Sequence, residues 1–374
     1  RDDVESRGLG DVYKRQMLYP LYTNKQINIP YLLKIGDGKV KKIGKYLADK
    51  NLTNAVIFWS EGIQRLLADR LYPGLEENGV KAVYEQDVRF INIEEITKIT
   101  FSLPKAAEVI VGIGGGKALD FAKFSAHLLK LPFVSVPTST SNDGFCSPNS
   151  SLIVDGKRKT VKASIPFGVV ADLEVVRESP QICLYSGVGD MVSKITALYD
   201  WKQAAERKLD RYNDFASLLS YNSLTLLFNK HSTDINEPSF QRSLVNSLLT
   251  SGIAMEIAGS SRPASGSEHL ISHGLDAVSR RPRMHGLQVG VATYLCALLQ
   301  NNPSTANVRD ILSITGFFNY VKQDPLSKED FINALQMAPG IKANYYTVLS
   351  EPDSFARALQ FIDRDPILNQ IIRY

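Results

Sequence analysis

Residues 109–123 read VIVGIGGGKALDFAK, and the interpretation of this stretch decides the fold. A short apolar run, Val109 to Val111, passes through Gly112, Gly114, Gly115 and Gly116 into a segment with apolar residues at helical spacing. The pattern is strand, glycine turn, helix. Glycine tolerates positive φ and lets a ligand approach the backbone closely, and the free N–H groups opening a helix attract an anion. A pyrophosphate fits such a turn. The spacing departs from GxGxxG, so the turn alone does not identify the ligand.

Working outward, AVIFWS at 55–60, VKAVYE at 80–85 and FVSVP at 133–137 are short apolar runs separated by helical patterns. Strands alternating with helices at this spacing predict a parallel sheet covered on both faces. Segments 151–155, 159–163 and 168–171 add β character around the turn pair Asp155-Gly156. From about Pro180 the texture changes, and helix-compatible stretches follow one another near 187–206, 212–230, 238–259, 265–279 and 285–301. The expectation is a Rossmann-like α/β nucleotide-binding domain over 17–177, then an all-α domain over 178–374. A chain of 374 residues suits two domains, because single cores rarely grow beyond roughly 250–300 residues. The first sixteen residues, RDDVESRGLGDVYKRQ, are polar and aperiodic and read as a non-native extension ahead of Met17.

Composition narrows the function. Hydrophobic residues make up 44% and charged residues 22%, as in ordinary globular proteins, and the net charge of +4 is spread along the chain. Nucleic acid is not the expected partner, and no apolar run is long enough to span a bilayer. Cys146, Cys183 and Cys296 lie far apart without CxxC spacing, which points away from disulfides and thiolate zinc and toward a reducing cytoplasm.

Chemistry concentrates in two places. The segment PTSTSNDGFCSP, 137–148, sets hydroxyls and Asp143 just past a strand's carboxyl end, the edge where open α/β sheets bind ligands. Three of the five histidines, His269, His273 and His285, fall within one short stretch; the first two share a helix face and the third opens the next helix. Asp190, near the start of another predicted helix, can add a carboxylate. One Asp and two His with a free fourth position are the ligand set of a catalytic metal site, while two histidines four apart are as often a polar helix face. Neither an HExxH pattern nor a GxSxG elbow occurs, which disfavours those hydrolase chemistries.

Taken together, GIGGGKALDFAK, PTSTSNDG, GDMVSKITALYDW, SRPASGSEHLISHGLD and HGLQVGV resemble the sn-glycerol-1-phosphate dehydrogenase family of the iron-containing alcohol dehydrogenase and dehydroquinate synthase superfamily. The resemblance spans about Pro20 to Leu299; the tail beyond carries no motif. It implies Asp190, His269 and His285 as ligands of one divalent metal, zinc first, with nickel or iron compatible. It implies His273 as the substrate-contacting histidine and Asp143 as a partner of the substrate hydroxyl, so that Asp190, His273 and Asp143 form the catalytic group. Gly115, Gly116, Lys117, Asp120, Thr138, Ser141 and Ser147 are the implied contacts of NAD or NADP.

The implied reaction is reversible reduction of dihydroxyacetone phosphate to sn-glycerol 1-phosphate by a cytoplasmic homo-oligomer, dimer or larger, without nucleic-acid or membrane partners. Arg262 and Lys162 are candidates for the substrate phosphate. The rival readings are a glycerol or other polyol dehydrogenase, a dehydroquinate synthase-like cyclase and a catalytically silent nucleotide-binding protein. The cyclase is disfavoured because that branch usually carries Glu where this chain has Asp190. Relatives often place Asp at the end of the first cofactor-domain strand, where this chain reads Phe58-Trp59-Ser60-Glu61. Ser60 leaves room for a 2′-phosphate and Glu61 repels one, with a slight balance toward NAD.

Overall fold

The computed structural model describes residues 27–228 and 233–374; the N-terminal extension proposed from the sequence lies outside them. The strands are β1 (Leu32–Gly36), β2 (Asn54–Ser60), β3 (Lys81–Val88), β4 (Val109–Gly114), β5 (Phe133–Pro137) and β8 (Gly168–Asp172), joined in one six-stranded sheet of order β1-β8-β5-β4-β2-β3. Every pairing in it is parallel. Parallel strands need crossover connections, and these are α1 (Ile43–Ala48), α2 (Ile63–Glu77), α3 (Ile93–Ser102) and α4 (Gly116–Leu129). Strands β4, β5 and β8 are buried along their whole length, which explains their unbroken apolar runs. A hairpin, β6 (Asn149–Val154) with β7 (Lys157–Lys162), turns at Asp155-Gly156 and packs on α4.

The remainder is helical apart from a two-stranded pairing of two residues each. α5 (Leu173–Glu178), α6 (Gln181–Val192), α7 (Lys194–Glu206), α8 (Asp214–Phe228), α9 (Pro238–Ala258), α10 (Ser267–Val278) and α11 (His285–Leu299) follow the predicted order. Beyond Leu299 the chain continues through α12 (Thr305–Ile314), α13 (Phe317–Gln323), α14 (Lys328–Ile341), α15 (Ser354–Arg364) and α16 (Leu368–Ile371). Two apolar clusters hold the fold. One lies on a single face of the sheet, around Trp59, Leu71, Val111 and Val134. The other starts from Phe58 and Phe121 on the opposite face and runs without a break into the helices, through Leu248, Leu270 and Leu295 to Ile371. The sheet and helices are therefore locked together.

Two features position the site. Strand order reverses between β2 and β4, since β3 lies outside β2 whereas β5 and β8 lie on the other side of β4; such a reversal opens a ligand crevice at the carboxyl edge. Among the helices, Gly189 of α6 faces the Gly286 carbonyl and Gly286 of α11 faces the Ser186 carbonyl, and a Cβ on either would overlap that backbone. The two helices thus cross in backbone contact, bringing Asp190 and His285 to one point.

Two expectations were incomplete. Strand β1 was not anticipated, because LLKIG is a five-residue edge strand, exposed in its middle and without the alternation that marks a strand. A single helix over 187–206 was expected; the structure divides the region at Ser193, between α6 and α7.

Candidate active site

The glycine turn lies at the reversal point. Gly114 adopts φ 146° and packs so closely on Ser60 that a Cβ would overlap its side chain. Ser60 Oγ accepts a hydrogen bond from the Gly115 N–H at 3.0 Å, tying the ends of β2 and β4 together. A Cβ on Gly115 or Gly116 would meet nothing within 4 Å, and no side chain caps the start of α4. An open glycine cradle at an uncapped helix start fits a dinucleotide pyrophosphate.

The loop after β5 is held by Lys123, which is fully buried and donates to the Gly144 and Asn149 carbonyls at 2.7 Å each. Burial lowers the Lys123 pKa, against the pull of Asp120. Asp120 in turn accepts from the Ser151 N–H at 3.1 Å and lies 3.4 Å from Lys123. Ser147 is buried beside Lys123, Thr138 is buried with its N–H on the Gly114 carbonyl, and the Ser141 carbonyl accepts from Ser186. Lys117 is exposed on the first turn of α4. Asp120, Ser147 and Gly116 line the same cavity; Thr138, Ser141 and Lys117 are not among its lining residues.

That cavity, about 170 Å³ in volume, reaches from Gly116 and Asp143 to His269, His273 and His285. Asp190, His269 and His285 each present a donor atom, all within 4.8 Å of one another. His269 Nδ1 bonds Glu268 Oε1 at 2.8 Å and its Nε2 lies 3.4 Å from Asp190 Oδ1, while His285 Nδ1 bonds Ser272 Oγ at 3.2 Å. Each ring is oriented through one nitrogen and keeps the other for the centre, the arrangement typical of metal-ligating histidines. The donor set therefore fits a divalent ion. Burial, followed by the neighbouring His269, lowers the His285 pKa to about 3, keeping it neutral as a ligand must be. Burial acts to raise the Asp190 pKa, but Lys194 and His269 outweigh it and the carboxyl sits below its usual range.

His273 lies one helical turn after His269, its ring 6.0 Å from that of His285. Burial first, then His285 and Lys342, holds its pKa well below the ordinary value, so it is neutral at pH 7. Asp143 Oδ2 accepts from Ser251 Oγ at 2.7 Å and pairs with Lys194 Nζ at 3.0 Å; the Asp143 N–H donates to Asp190 Oδ2 at 3.0 Å. The hydroxyl-rich loop and the helical histidines thus meet at one point.

Four relevant residues escaped the sequence reading. Lys194, fully buried, stands between Asp143 and Asp190. Glu268, also fully buried, orients His269 and accepts from Thr196 Oγ1 at 2.7 Å. Its place beside the histidine in SEHLISH was the available signal. Lys342 and Arg158 line the cavity from the tail and from β7; neither lies in a motif. The two proposed phosphate residues are placed otherwise. Arg262 is 1% exposed and held by Asp210 at 2.6 Å, the Tyr346 carbonyl and the Tyr345 ring, with Nη2 left without a partner, and it is not a lining residue of the cavity. Lys162 is exposed and is not a lining residue.

Comparison with known proteins identifies the family. Residues 34–180 match the family described as iron-containing alcohol dehydrogenase. The chain is 34% identical to a glycerol-1-phosphate dehydrogenase [NAD(P)+] of Methanosarcina acetivorans, over 87% of this chain and 92% of that protein. It is 35% identical to the like-named protein of Pyrococcus horikoshii, over 72% of this chain and 78% of that protein. Among solved structures, glycerol dehydrogenase from Schizosaccharomyces pombe superposes with a TM-score of 0.74 at 19% identity, covering 90% of each chain. Sulfoacetaldehyde reductase from Bifidobacterium kashiwanohense, in complex with NAD+, gives 0.70 at 15% identity, over 90% of this chain and 97% of that one. At such identities the structural likeness establishes the fold; the similarity in sequence goes further, and the chain belongs to the glycerol-1-phosphate dehydrogenase family of iron-containing alcohol dehydrogenases.

Proposed function

We propose that this chain is a metal-dependent, NAD(P)-linked dehydrogenase that reversibly reduces dihydroxyacetone phosphate to sn-glycerol 1-phosphate in the cleft between the glycine turn and the histidine cluster. The observation carrying this reading is a single cavity whose lining includes Gly116 and Asp143, His269, His273 and His285, and the cations Arg158 and Lys342. A divalent ion held by Asp190, His269 and His285, zinc by first choice, supplies Lewis acidity toward a carbonyl oxygen, and the nicotinamide supplies hydride. The division at 177/178, with cofactor on the α/β part and metal on the helical part, belongs to the same reading.

The chain's own residues do the rest. Gly115 and Gly116 receive the cofactor's pyrophosphate, while Lys117, Asp120, Thr138, Ser141 and Ser147 form or support its binding loops. Asp143, held by Lys194 and Ser251, orients a substrate hydroxyl. His273, neutral at rest, relays a proton: one ring nitrogen passes its proton to the oxygen that gains charge as hydride arrives, while the other takes one from solvent.

The phosphate goes to Lys342 and Arg158, in place of Arg262 and Lys162. Lys342 Nζ lies 3.2 Å from Ser261 Oγ, and Ser265 Oγ, buried in the same wall, has no hydrogen-bond partner in the structure. Arg158, which also donates to Ser151 Oγ at 2.8 Å and lies 3.7 Å from Asp276, lines the same cavity, and two cations suit a phosphate better than a neutral polyol.

Among the described residues no helix is long and apolar enough to cross a membrane; cytoplasmic action on a small substrate by a homo-oligomer completes the proposal. The test is to strip metal from the purified protein, restore zinc or nickel, and follow NADH oxidation with dihydroxyacetone phosphate, dihydroxyacetone and glyoxal-type carbonyls. Metal-dependent turnover favouring the phosphorylated ketone is expected. Undiminished turnover after verified metal removal would overturn the proposed chemistry.

A further inference from the structure

The edge of the sheet beyond the glycine turn carries an arrangement that bears on cofactor choice. In a sheet of this kind the adenosine ribose of a dinucleotide lies over the end of the strand next to the pyrophosphate turn, where a carboxylate binds the 2′-hydroxyl or an arginine accommodates a 2′-phosphate. Here the neighbouring strand is β2, with Trp59 opposite Ile113 of β4. Ser60, at the end of β2, already has its hydroxyl on the Gly115 N–H at 3.0 Å. The next side chain along that edge is Glu61. On the far side Ser60 is level with Val88, the last residue of β3, so Arg89 emerges beside Glu61. Glu61 Oε1 and Arg89 Nε are 3.8 Å apart, and the side chains are 69% and 67% exposed. β3 is an edge strand of the sheet, with no further strand beyond it among the described residues.

We infer that the Glu61–Arg89 pair sets the NADH to NADPH preference: Arg89 admits the 2′-phosphate by leaving Glu61, and Glu61 holds the unphosphorylated ribose. This rests on the cofactor half of the proposed function. A carboxylate alone at this edge would exclude a 2′-phosphate by like-charge repulsion. An arginine within reach changes that, because a guanidinium pairs with two phosphate oxygens in a fixed fork. The exchange is easy, since an exposed ion pair at this separation is weakly held and screened by salt. With Glu61 accepting from ribose hydroxyls and Arg89 free to turn, both cofactors bind, in contrast to the slight balance toward NAD read from Glu61 alone.

The test is equilibrium titration of NADH and NADPH into the full chain, followed by nicotinamide fluorescence and needing no substrate or turnover. The unmodified protein should bind the two within about tenfold of each other. Arg89→Ala should weaken NADPH by about tenfold or more, the loss expected for one charge-assisted contact, and change NADH much less. Glu61→Gln should tighten NADPH and weaken NADH, and the NADPH affinity should depend more steeply on salt. Equal effects of Arg89→Ala on both cofactors, or none on either, would overturn the inference. Failure of one cofactor to bind the unmodified chain would overturn it as well, and failure of both would remove the cofactor assignment too. Failure of dihydroxyacetone phosphate turnover with the binding pattern intact would remove only the substrate.

Discussion

Replacing Lys342 with Met removes one positive charge from the cavity while keeping most of the side chain's apolar stem. In the structure Lys342 Nζ lies 3.2 Å from Ser261 Oγ and 4.5 Å from the centre of the Tyr345 ring, which carries Arg262 at 3.5 Å. If the ammonium binds the substrate phosphate, the variant loses one charge-assisted hydrogen bond of roughly 1.5–3 kcal/mol. That loss corresponds to a fall of about 10- to 100-fold in kcat/KM for dihydroxyacetone phosphate. Dihydroxyacetone, which has no phosphate, should be almost unaffected, and NADH affinity, assigned to the glycine turn and the loop after β5, should be unchanged.

The same residue gives the prediction a pH signature. Burial, then the neighbouring Arg262, lowers the Lys342 pKa to about 8. The charged form therefore dominates below pH 8 and is lost as pH rises through that value, so the preference for the phosphorylated ketone should decline on the alkaline side. A bound phosphate dianion favours the charged lysine and moves the decline upward in the complex. Steady-state kinetics with both ketones between pH 6 and pH 10, for the unmodified and Lys342→Met proteins, is the assay. An equal fall for both ketones, or an alkaline decline in preference that persists unchanged in the variant, would refute the role given to Lys342.

Three further perturbations follow from the geometry. Glu268→Gln weakens the anchor on His269 Nδ1, and metal affinity measured against a competing chelator should fall about 10- to 100-fold. Lys194→Met leaves two buried carboxylates, Asp143 and Asp190, without their shared cation; breaking such a pair costs about 3–5 kcal/mol. The metal-free protein should show it as a large drop in melting temperature, part of it recovered on adding zinc. Gly286→Ala forces a methyl into the Ser186 backbone where α6 and α11 cross. Overpacking of about 1–3 kcal/mol or more should appear in denaturant unfolding, with reduced metal content if the separated helices no longer bring Asp190 and His285 together.

How much could be read in advance depended on whether a residue's partners lay close to it in the chain. The alternation of apolar runs and helices between Asn54 and Pro137 revealed the parallel sheet, because a buried parallel strand is apolar along its whole length. The spacing of His269 and His273 on one helix, with His285 opening the next, made a shared centre legible. Lys194 was quoted within GDMVSKITALYDW without a role, since nothing local shows that a lysine one turn from Asp190 is buried between two carboxylates. Lys342 lies in a tail without motifs and reaches the cavity only because α14 packs along α10. Arg262 shows the opposite failure. It sits inside a motif near the ligands, yet its partner Asp210 and its cover Tyr345 come from elsewhere in the chain. The short strand β1 was missed for the same reason, being recognisable by its pairing with β8 more than by its composition.

The most direct test of the central claim is the ratio of specificity constants for dihydroxyacetone phosphate and dihydroxyacetone, measured with the metal-loaded, unmodified protein and saturating NADH. If Lys342 and Arg158 both bind the phosphate, two charge-assisted contacts are gained together, and the account predicts a preference of roughly 10³ or more for the phosphorylated ketone. Equal specificity constants for the two would contradict it and make the enzyme a polyol dehydrogenase.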